Sequence, residues 1–187
     1  MVRLLLGHED IDPNGNGLNT PLGCAVLNGN TKIVELLLGH KDINPNLACL
    51  NYDHKISYLL PNYRVDGIGN TPLYLACLKG NTKIVRFLLD HKDINPNIEN
   101  SDGDTPLHYA CCNGHTEIVK LLLERNDINI NEKDVFGATP LCFACCNGHT
   151  EIVKLLLERD DIRVNEKENT NGCTPLHCAC CIYISIC

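Results

Sequence analysis

Residues 103–129 read GDTPLHYACCNGHTEIVKLLLERNDIN, and this stretch decides the fold because most of it occurs again along the chain. Its second half, residues 113–125, recurs without a change as residues 147–159. Looser copies begin at Asn28 and Lys79. The tripeptide Thr-Pro-Leu starts at positions 20, 71, 105, 139 and 174, so that the spacings are 51, 34, 34 and 35 residues. A period of this length predicts an array of stacked repeats.

Each repeat predicts two helices separated by a glycine turn. Thr105 is a good N-cap, and Pro106 suits the first helical position, where its missing N–H costs nothing. Gly114 is expected to end this first helix in a left-handed conformation. Thr116 is then expected to cap a second helix. Its apolar side would be formed by Ile118, Val119, Leu122 and Leu123.

The segment between a second helix and the next Thr-Pro-Leu is rich in Asn, Asp and Gly. Together with the paired Ile128 and Ile130, it predicts an exposed, hairpin-like loop. A single unit of this kind has no second layer on which to bury its apolar face. The units must therefore stack on one another to form a core.

The quoted stretch resembles the ankyrin repeat family. The family pattern has Gly, one residue, Thr-Pro-Leu-His, Ala, a turn Gly, an Ile-Val pair, Leu-Leu and a closing Asp-Val-Asn, and the resemblance covers nearly the whole chain. It implies an all-α solenoid, an ankyrin repeat array of helix-turn-helix units with hairpin finger loops. The family His is present as His108 and His177, but Gly23, Tyr74 and Cys142 replace it elsewhere. The hydrogen bonds that this His would make between units are therefore in question at three places.

The repeat pattern divides the chain into a single array over residues 1–187. Residues 1–14 are a partial unit with a second helix only, residues 17–46, 67–100, 101–134 and 135–169 are repeats, and residues 170–187 are a truncated unit. Residues 47–66 are open to two interpretations, a degenerate shortened repeat or an insertion. Seven of 14 positions agree when residues 47–60 are aligned with residues 75–88, which favours the shortened repeat. The incomplete units at both ends suggest a fragment of a longer array or a mis-called reading frame.

Charge and hydropathy exclude two classes of partner. Sixteen Lys and Arg against 23 Asp and Glu give a net charge of −7, so no basic excess is available for nucleic acid or for an anionic membrane surface. The longest mostly apolar stretch, residues 173–187, is too short to span a bilayer. We therefore expect no membrane insertion, and a protein partner whose surface has basic character.

Thirteen cysteines, an odd number, occur without a secretory signal, which predicts free thiols in a reducing compartment, the cytosol or the nucleus. Cys142, Cys145, Cys178 and Cys181 formally make two C-x-x-C pairs and a zinc ligand set. Equivalent helices should lie about 8 to 10 Å apart, too far to bring four sulfurs within about 2.3 Å of one ion. A column of buried small side chains is the preferred interpretation, and no metal or cofactor is expected.

Cys111 and His115 have the spacing of a thiol nucleophile and its base on one helical face. The same pair recurs as Cys145 and His149, whereas a catalytic site needs one unique constellation, and Gly114 interrupts the helix between the two residues. No phosphate-binding loop or metalloprotease motif is present. We therefore expect that the chain is not an enzyme.

Candidate partner-binding residues follow from the resemblance, since ankyrin arrays bind proteins with their fingertips and the exposed side of their first helices. Carried onto this chain, the candidates are Asp66, Ile68, Asn70, Leu78, Lys79, Ser101, Asp102, Asp104, Cys112, Asn113, Val135, Phe136, Ala138, Cys146 and Asn147, followed by Thr170, Asn171 and Cys173. Phe136 is the strongest of them, because a fingertip aromatic has no evident core role and aromatics are enriched in binding hot spots. Packing beneath the neighbouring finger is the alternative.

These patterns predict a monomeric, non-catalytic protein–protein interaction module, an ankyrin repeat scaffold or adaptor. Two alternatives stay open: a regulatory or targeting segment of a larger enzyme or channel, and a fragmentary gene copy without function. The family also suggests that Asn95 and Asn129 are substrates of an asparagine-hydroxylating oxygenase. A purely local role in closing the unit is favoured for both residues.

Overall fold

The computed structural model describes residues 1–15, 19–49 and 69–180. Its helices are Val2–Leu5 (α1), Pro21–Leu27 (α2), Thr31–Leu38 (α3), Pro72–Leu78 (α4), Thr82–Leu89 (α5), Pro106–Cys112 (α6), Thr116–Leu123 (α7), Pro140–Cys146 (α8), Thr150–Leu157 (α9) and Pro175–Cys180 (α10). Within these ranges the β-structure is one isolated bridge, between Cys49 and Asn70. None of these helices is long and apolar enough to cross a bilayer.

The first helix of each unit begins at the proline of Thr-Pro-Leu, as the sequence predicts. The threonine hydroxyl accepts a hydrogen bond from the backbone N–H three residues later, at 3.0 Å for Thr20, 3.3 Å for Thr71 and 3.4 Å for Thr139. At Thr105 the cap is reciprocal, because the ring of His108 also accepts from the Thr105 N–H. Local chemistry thus sets where each first helix starts.

The turn between the two helices of a unit contains a glycine with positive φ, which is +72° at Gly114. The second helix begins one residue earlier than predicted, because Thr116 is its first residue and His115 is its N-cap. The His115 carbonyl accepts from the Val119 N–H at 3.0 Å, so the helical ladder already starts at His115. The prediction that Thr116 caps the helix is therefore wrong.

The helices form two layers with the core between them. First helices pack on first helices from α2 to α10, and second helices pack on second helices from α1 to α9. Leu73, Leu107 and Leu122 are fully buried between the layers. Ile128 and Ile130 are buried as well, which corrects the prediction of an exposed loop there, since both side chains face the core. This arrangement confirms the all-α solenoid of stacked helix pairs.

An asparagine in the loop after each of the second helices α1, α3, α5 and α7 bonds to the following unit. Its Nδ2 donates to a carbonyl and its Oδ1 accepts a backbone N–H, at distances from 2.7 to 2.9 Å. We call this set the asparagine ladder: Asn14 bonds to Asp42 and Asn44, Asn46 to Asp93 and Asn95, Asn97 to Asp127 and Asn129, and Asn131 to Asp161 and Arg163. The ladder fixes the spacing of neighbouring units at the base of each loop.

The irregular spacing in the first half of the chain leaves the two flanking units in direct contact. The predicted shortened repeat or insertion at residues 47–66 lies, from residue 50 onward, outside the described residues. On either side of it, α2 packs on α4, α3 packs on α5, and Asn46 bonds to Asp93 and Asn95. The units on either side of this segment therefore stack directly on each other.

Candidate protein-binding surface

Three finger loops lie side by side at one edge of the array: residues 100–104, 134–138 and 168–173. Each finger is closed by a backbone hydrogen bond of 3.0 Å from its first N–H to its last carbonyl. The first side chain of each finger also accepts N–H groups from inside the loop. In the middle finger, Asp134 Oδ1 accepts from Phe136 at 3.0 Å and from Ala138 at 2.7 Å. These bonds hold the fingertip backbone in one conformation.

Neighbouring fingers are also bonded to each other. The Val135 N–H donates to the Asp102 carbonyl at 3.0 Å, and the Asn169 N–H donates to the Phe136 carbonyl at 2.6 Å. Gly103 has a φ of +77°, and a Cβ at this position would lie 2.9 Å from the Val135 nitrogen. Only glycine therefore lets the fingers approach so closely, and the three loops form a continuous row.

The structure exposes about half of the candidate residues. Lys79, Ser101, Asn113, Val135, Phe136, Cys146, Asn147, Thr170 and Asn171 are exposed, whereas Leu78, Asp102, Cys112, Ala138 and Cys173 are half-buried. The Phe136 residue is 54% exposed and its neighbour Val135 is 56% exposed. Phe136 thus presents an apolar surface to solvent and does not pack beneath the neighbouring finger.

Four candidate residues are not found on an exposed surface: two of them are buried, and two lie outside the described residues. Asn70 is 1% exposed and Asp104 is 6% exposed, so neither side chain can contact a partner in this conformation. Both stand directly before a Thr-Pro-Leu, at the end of a finger, where the chain turns inward. Their selection as binding residues is therefore corrected. Asp66 and Ile68 lie outside the described residues.

Two finger carboxyl groups have opposite electrostatic surroundings. Burial, with smaller contributions from Asp134 and Asp102, raises the pKa of the Asp104 carboxyl to about 7. Glu168 behaves in the opposite way, since hydrogen bonds from the N–H groups of Asn171, Cys173 and Thr170 lower its pKa to about 2. Glu168, in the finger of residues 168–173, therefore keeps a fixed negative charge, whereas the charge of the buried Asp104 depends on pH.

Replacement of Asp104 by Asn should make the array more stable at pH 8, by at least about 1 kcal/mol. A pKa of about 7 in the folded chain, against an ordinary 3.8, corresponds to at most about 4 kcal/mol. Between these values the folded carboxyl keeps a proton that the unfolded one releases, so the parent loses stability as pH rises from about 4 to about 7. Urea unfolding of parent and variant at several pH values measures the difference.

The advantage of Asp104→Asn should vanish near pH 3, below the ordinary pKa of 3.8, where Asp104 is neutral in both states. Asp102→Asn is the control in the same finger, because Asp102 is half-buried and should change stability much less. An advantage of Asp104→Asn that stays constant from pH 4 to pH 8 would contradict the assignment of the effect to ionisation.

His108 links two units through a neutral ring. Its Nδ1 accepts from the Thr105 N–H at 3.1 Å, so its Nε2 carries the proton and donates to the Ala138 carbonyl of the next unit at 3.3 Å. Burial lowers the pKa of His108 to about 4. Where Tyr74 replaces the histidine, its hydroxyl accepts from Asn100 Nδ2 at 3.2 Å, so a different hydrogen bond connects that first helix to the finger of residues 100–104. The sequence did not predict this substitute.

The cysteines of the described residues are free thiols. Cys77, Cys111 and Cys145 are buried at equivalent positions of successive first helices, whereas Cys180, the fourth member of the predicted column, is exposed in α10, so the prediction is wrong for that residue. Burial raises the pKa of Cys111 well above its ordinary value, which disfavours the thiolate that a nucleophile needs. Within the described ranges, no group of three or more His, Cys, Asp or Glu side chains could hold a metal ion. Cys181, the last member of the formal zinc set, lies outside them.

Asn95 and Asn129, the residues of the hydroxylation alternative, are exposed and make local turns. The side-chain Oδ1 of Asn95 accepts from the Asn97 N–H at 3.0 Å, and that of Asn129 accepts from the Asn131 N–H at 3.2 Å. Their own backbone N–H groups are bound by the asparagine ladder. These contacts are the local closing role that the sequence favours.

Comparisons with known proteins agree with this geometry. A family model described as ankyrin repeats in three copies matches residues 46–134 and 125–187. A second model, described as a single ankyrin repeat, matches residues 18–53. No curated protein matches the chain.

Proposed function

Because this chain belongs to the ankyrin repeat family, we propose that it is a non-catalytic scaffold or adaptor that binds a protein partner through its finger row. Ankyrin repeats are generally protein–protein interaction modules. The observation that carries the proposal for this chain is the exposed apolar pair Val135 and Phe136 at the tip of the middle finger. Aromatic side chains are enriched in protein interfaces, which favours Phe136 as the anchor.

The rigidity of the finger row supports this use of Phe136. Backbone hydrogen bonds hold the middle finger on both sides, at Val135 and at Asn169. A partner that binds here therefore orders little of the loop backbone, which lowers the entropic cost of association. The neighbouring first helices add Cys112, Asn113, Cys146 and Asn147 at their exposed ends. The proposed surface thus combines fingertips with helix ends.

The charge of the chain supports a partner with basic character. The net charge is −7, and Asp102 and Glu168 lie in the fingers on either side of Phe136. Attraction between unlike surfaces raises the association rate and weakens as salt screens it. The free thiols of the described residues support a reducing intracellular compartment as the place where the partner is met.

Phe136→Ala is expected to abolish partner capture while the melting temperature stays unchanged, because this side chain lies in solvent and not in the core. The measurement is an affinity capture with the purified chain in reducing buffer at two salt concentrations, read by mass spectrometry. Phe87→Ala is the control, since it removes the same side chain from α5, a second helix outside the fingers; because Phe87 is half-buried against the core, this variant should lower the melting temperature. It should keep the partner.

A specific, salt-sensitive protein that is captured by the parent and by Phe87→Ala, but not by Phe136→Ala, supports the proposal. Absence of any specific capture by folded protein would overturn it. A destabilisation of Phe136→Ala by about 3 kcal/mol, the cost of truncating a core phenylalanine, would show that Phe136 stabilises the array instead.

A further inference from the structure

An asparagine that is followed by glycine is the asparagine most prone to lose its side-chain amide, because the next backbone nitrogen reaches its carbonyl carbon without hindrance from a Cβ. The chain contains six such pairs. Because all of them have the same two residues, differences in their reactivity must come mainly from the fold. Five of the six pairs lie in the described residues, and they begin at Asn14, Asn28, Asn113, Asn147 and Asn171.

Four of these five asparagines have a side chain that is held by hydrogen bonds. The Nδ2 groups of Asn28, Asn113 and Asn147 donate to the carbonyl four residues earlier, at 2.8, 3.0 and 2.9 Å. Asn14 belongs to the asparagine ladder, which binds both its Nδ2 and its Oδ1. Each of these side chains must break a hydrogen bond before its carbonyl carbon can approach the glycine nitrogen.

Asn171 is different, because it lies at the tip of the finger of residues 168–173. Its side chain is exposed and makes no hydrogen bond with any part of the chain that the structure describes. Its backbone N–H donates to Glu168 Oε1 at 2.6 Å, which fixes the backbone and leaves the side-chain amide unrestrained. The carbonyl carbon of Asn171 can therefore turn toward the next residue without breaking such a bond.

The glycine nitrogen of this finger is available as well. In the two shorter fingers the glycine N–H is bound, from Gly103 to the Asn100 carbonyl at 3.1 Å and from Gly137 to the Asp134 carbonyl at 2.9 Å. The finger of residues 168–173 is one residue longer, and its Gly172 N–H makes no hydrogen bond within the described ranges. Its nitrogen is thus not engaged as a donor.

The space around Gly172 permits a ring to close. Gly172 has a φ of +69°, and a Cβ added there would meet no described atom within 4 Å. At Gly114, by contrast, a Cβ would lie 2.6 Å from the His149 ring. Asn171 and Gly172 therefore combine an unrestrained amide, an unengaged nitrogen and open space.

A further finger beside this one would not remove these conditions. Within the described row, a finger binds its neighbour through the carbonyl that precedes the glycine, from Val135 to Asp102 and from Asn169 to Phe136. It does not bind the glycine N–H. Phe136 also stays 54% exposed beside such a neighbour. The reactivity of Asn171 therefore does not depend on whether another finger follows.

We propose that Asn171 is a modification site, at which the folded chain converts asparagine to aspartate and isoaspartate through a succinimide. The Gly172 nitrogen gives its proton to water, attacks Cγ of Asn171 and forms a new C–N bond. The bond between Cγ and the side-chain nitrogen breaks, and that nitrogen takes up a proton and leaves as ammonia. Water then adds to either carbonyl of the ring and breaks one of its two C–N bonds. No oxidant or reductant is consumed.

The products change the charge and the length of the finger. A second carboxylate appears in the loop that Glu168 closes, and isoaspartate adds one carbon to its backbone. The carboxyl group of isoaspartate is the substrate of isoaspartyl methyltransferases, which use S-adenosylmethionine as the methyl donor. The site thus takes water as its co-reactant and an enzyme of this class as its reader, whether or not a partner binds the finger row.

Peptide mapping of the folded parent over time tests the site. The protein is incubated in mildly alkaline, reducing buffer, digested with trypsin under weakly acidic conditions and read by mass spectrometry. Asn171 falls in the tryptic peptide 168–187, which contains no other Asn-Gly pair. We expect it to convert roughly tenfold faster than each of the other four, since their side chains must first break a hydrogen bond. Methylation of the same peptide by an isoaspartyl methyltransferase identifies isoaspartate.

Two controls separate the fold from the local sequence. In urea the hydrogen bonds are lost, so the rates of the five pairs should become similar. Asn171→Gln should remove the conversion from peptide 168–187, because glutamine would have to form a larger ring. This variant should keep the melting temperature of the parent, since the side chain lies in solvent.

Three results would overturn the assignment of Asn171. The first is equal conversion of all five pairs in the folded protein. The second is faster conversion at one of the other four pairs. The third is a preference for Asn171 that persists unchanged in urea, which would attribute it to the flanking sequence and not to the finger.

Discussion

Gly114→Val should destabilise the array by about 3 kcal/mol. The residue has a φ of +72°, a conformation that costs a residue with a side chain roughly 1 to 3 kcal/mol and a β-branched residue most. A Cβ at Gly114 would also lie 2.6 Å from Cε1 of His149 in the next unit. The His149 ring would have to move and would lose its 2.9 Å bond to the Cys112 carbonyl, a further loss of about 1 kcal/mol.

Urea unfolding of the full chain measures this loss, and Gly39→Val is the matched control. Gly39 follows α3 with a φ of −79°, and a Cβ there would meet only ordinary contacts of 3.5 Å or more. We expect the control to change the free energy of unfolding by less than about 1 kcal/mol. Equal losses for the two variants would show that neither the left-handed turn nor the contact with His149 is responsible.

His108→Ala should cost about 3 to 4 kcal/mol. The substitution leaves the buried Thr105 N–H without its acceptor, at a cost of roughly 1 to 3 kcal/mol. The Ala138 carbonyl loses one of its two hydrogen bonds but still accepts from the Asp134 N–H, a loss of about 1 kcal/mol. It also removes the ring that packs edge-on against Phe143, with centroids 5.3 Å apart. Since the Ala138 carbonyl belongs to the next unit, the variant should weaken the coupling of the two units as well as the unit itself.

The chain contains its own control for His108→Ala. His177 occupies the same place in a second Thr-Pro-Leu-His, with its Nδ1 at 3.3 Å from the Thr174 nitrogen, but it is exposed in α10. His177→Ala should therefore cost less than about 0.5 kcal/mol. If both histidines cost the same, the local cap would explain the effect and the bond to the next unit would contribute nothing.

The pH dependence of the free energy of unfolding distinguishes the role of the neutral His108 ring from a purely steric effect of the substitution. Its pKa is about 4 in the folded chain and near 6.5 when unfolded, so the unfolded state binds the proton first as pH falls. The parent should therefore lose this part of its stability between about pH 6.5 and pH 4, and His108→Ala should not. The contribution of His108 to stability falls as pH falls, whereas that of Asp104 falls as pH rises. The two effects partly cancel in the parent, so each single variant is needed to measure its own effect.

Local chemistry explains which parts of the fold the sequence could predict. All the described first helices begin at the proline of Thr-Pro-Leu, because proline and the threonine cap act within one turn. The prediction for Thr116 was off by one residue, since the helix there lacks a side-chain cap and the His115 carbonyl starts the ladder. Ile128 and Ile130 were misplaced because their burial depends on neighbouring units.

The candidate surface was predictable only as far as exposure follows from position in the repeat. Phe136 is exposed as its fingertip position indicated. Asn70 and Asp104 were selected because they are polar finger residues, yet the last finger residue turns under the array. The asparagine ladder was missed altogether, since each bond joins residues about 30 or more apart. An Asn that recurs at one position of every unit was the signal that could have revealed it.

The helices α7 and α9 have the same sequence, TEIVKLLL, but different burial. One peptide therefore has two local stabilities in the same molecule, and the difference comes entirely from the neighbours on each side. The less buried α9 should accordingly open more often than α7. The sequence of a repeat determines the fold of its helix pair, whereas the position of the repeat in the array determines how often that helix pair opens.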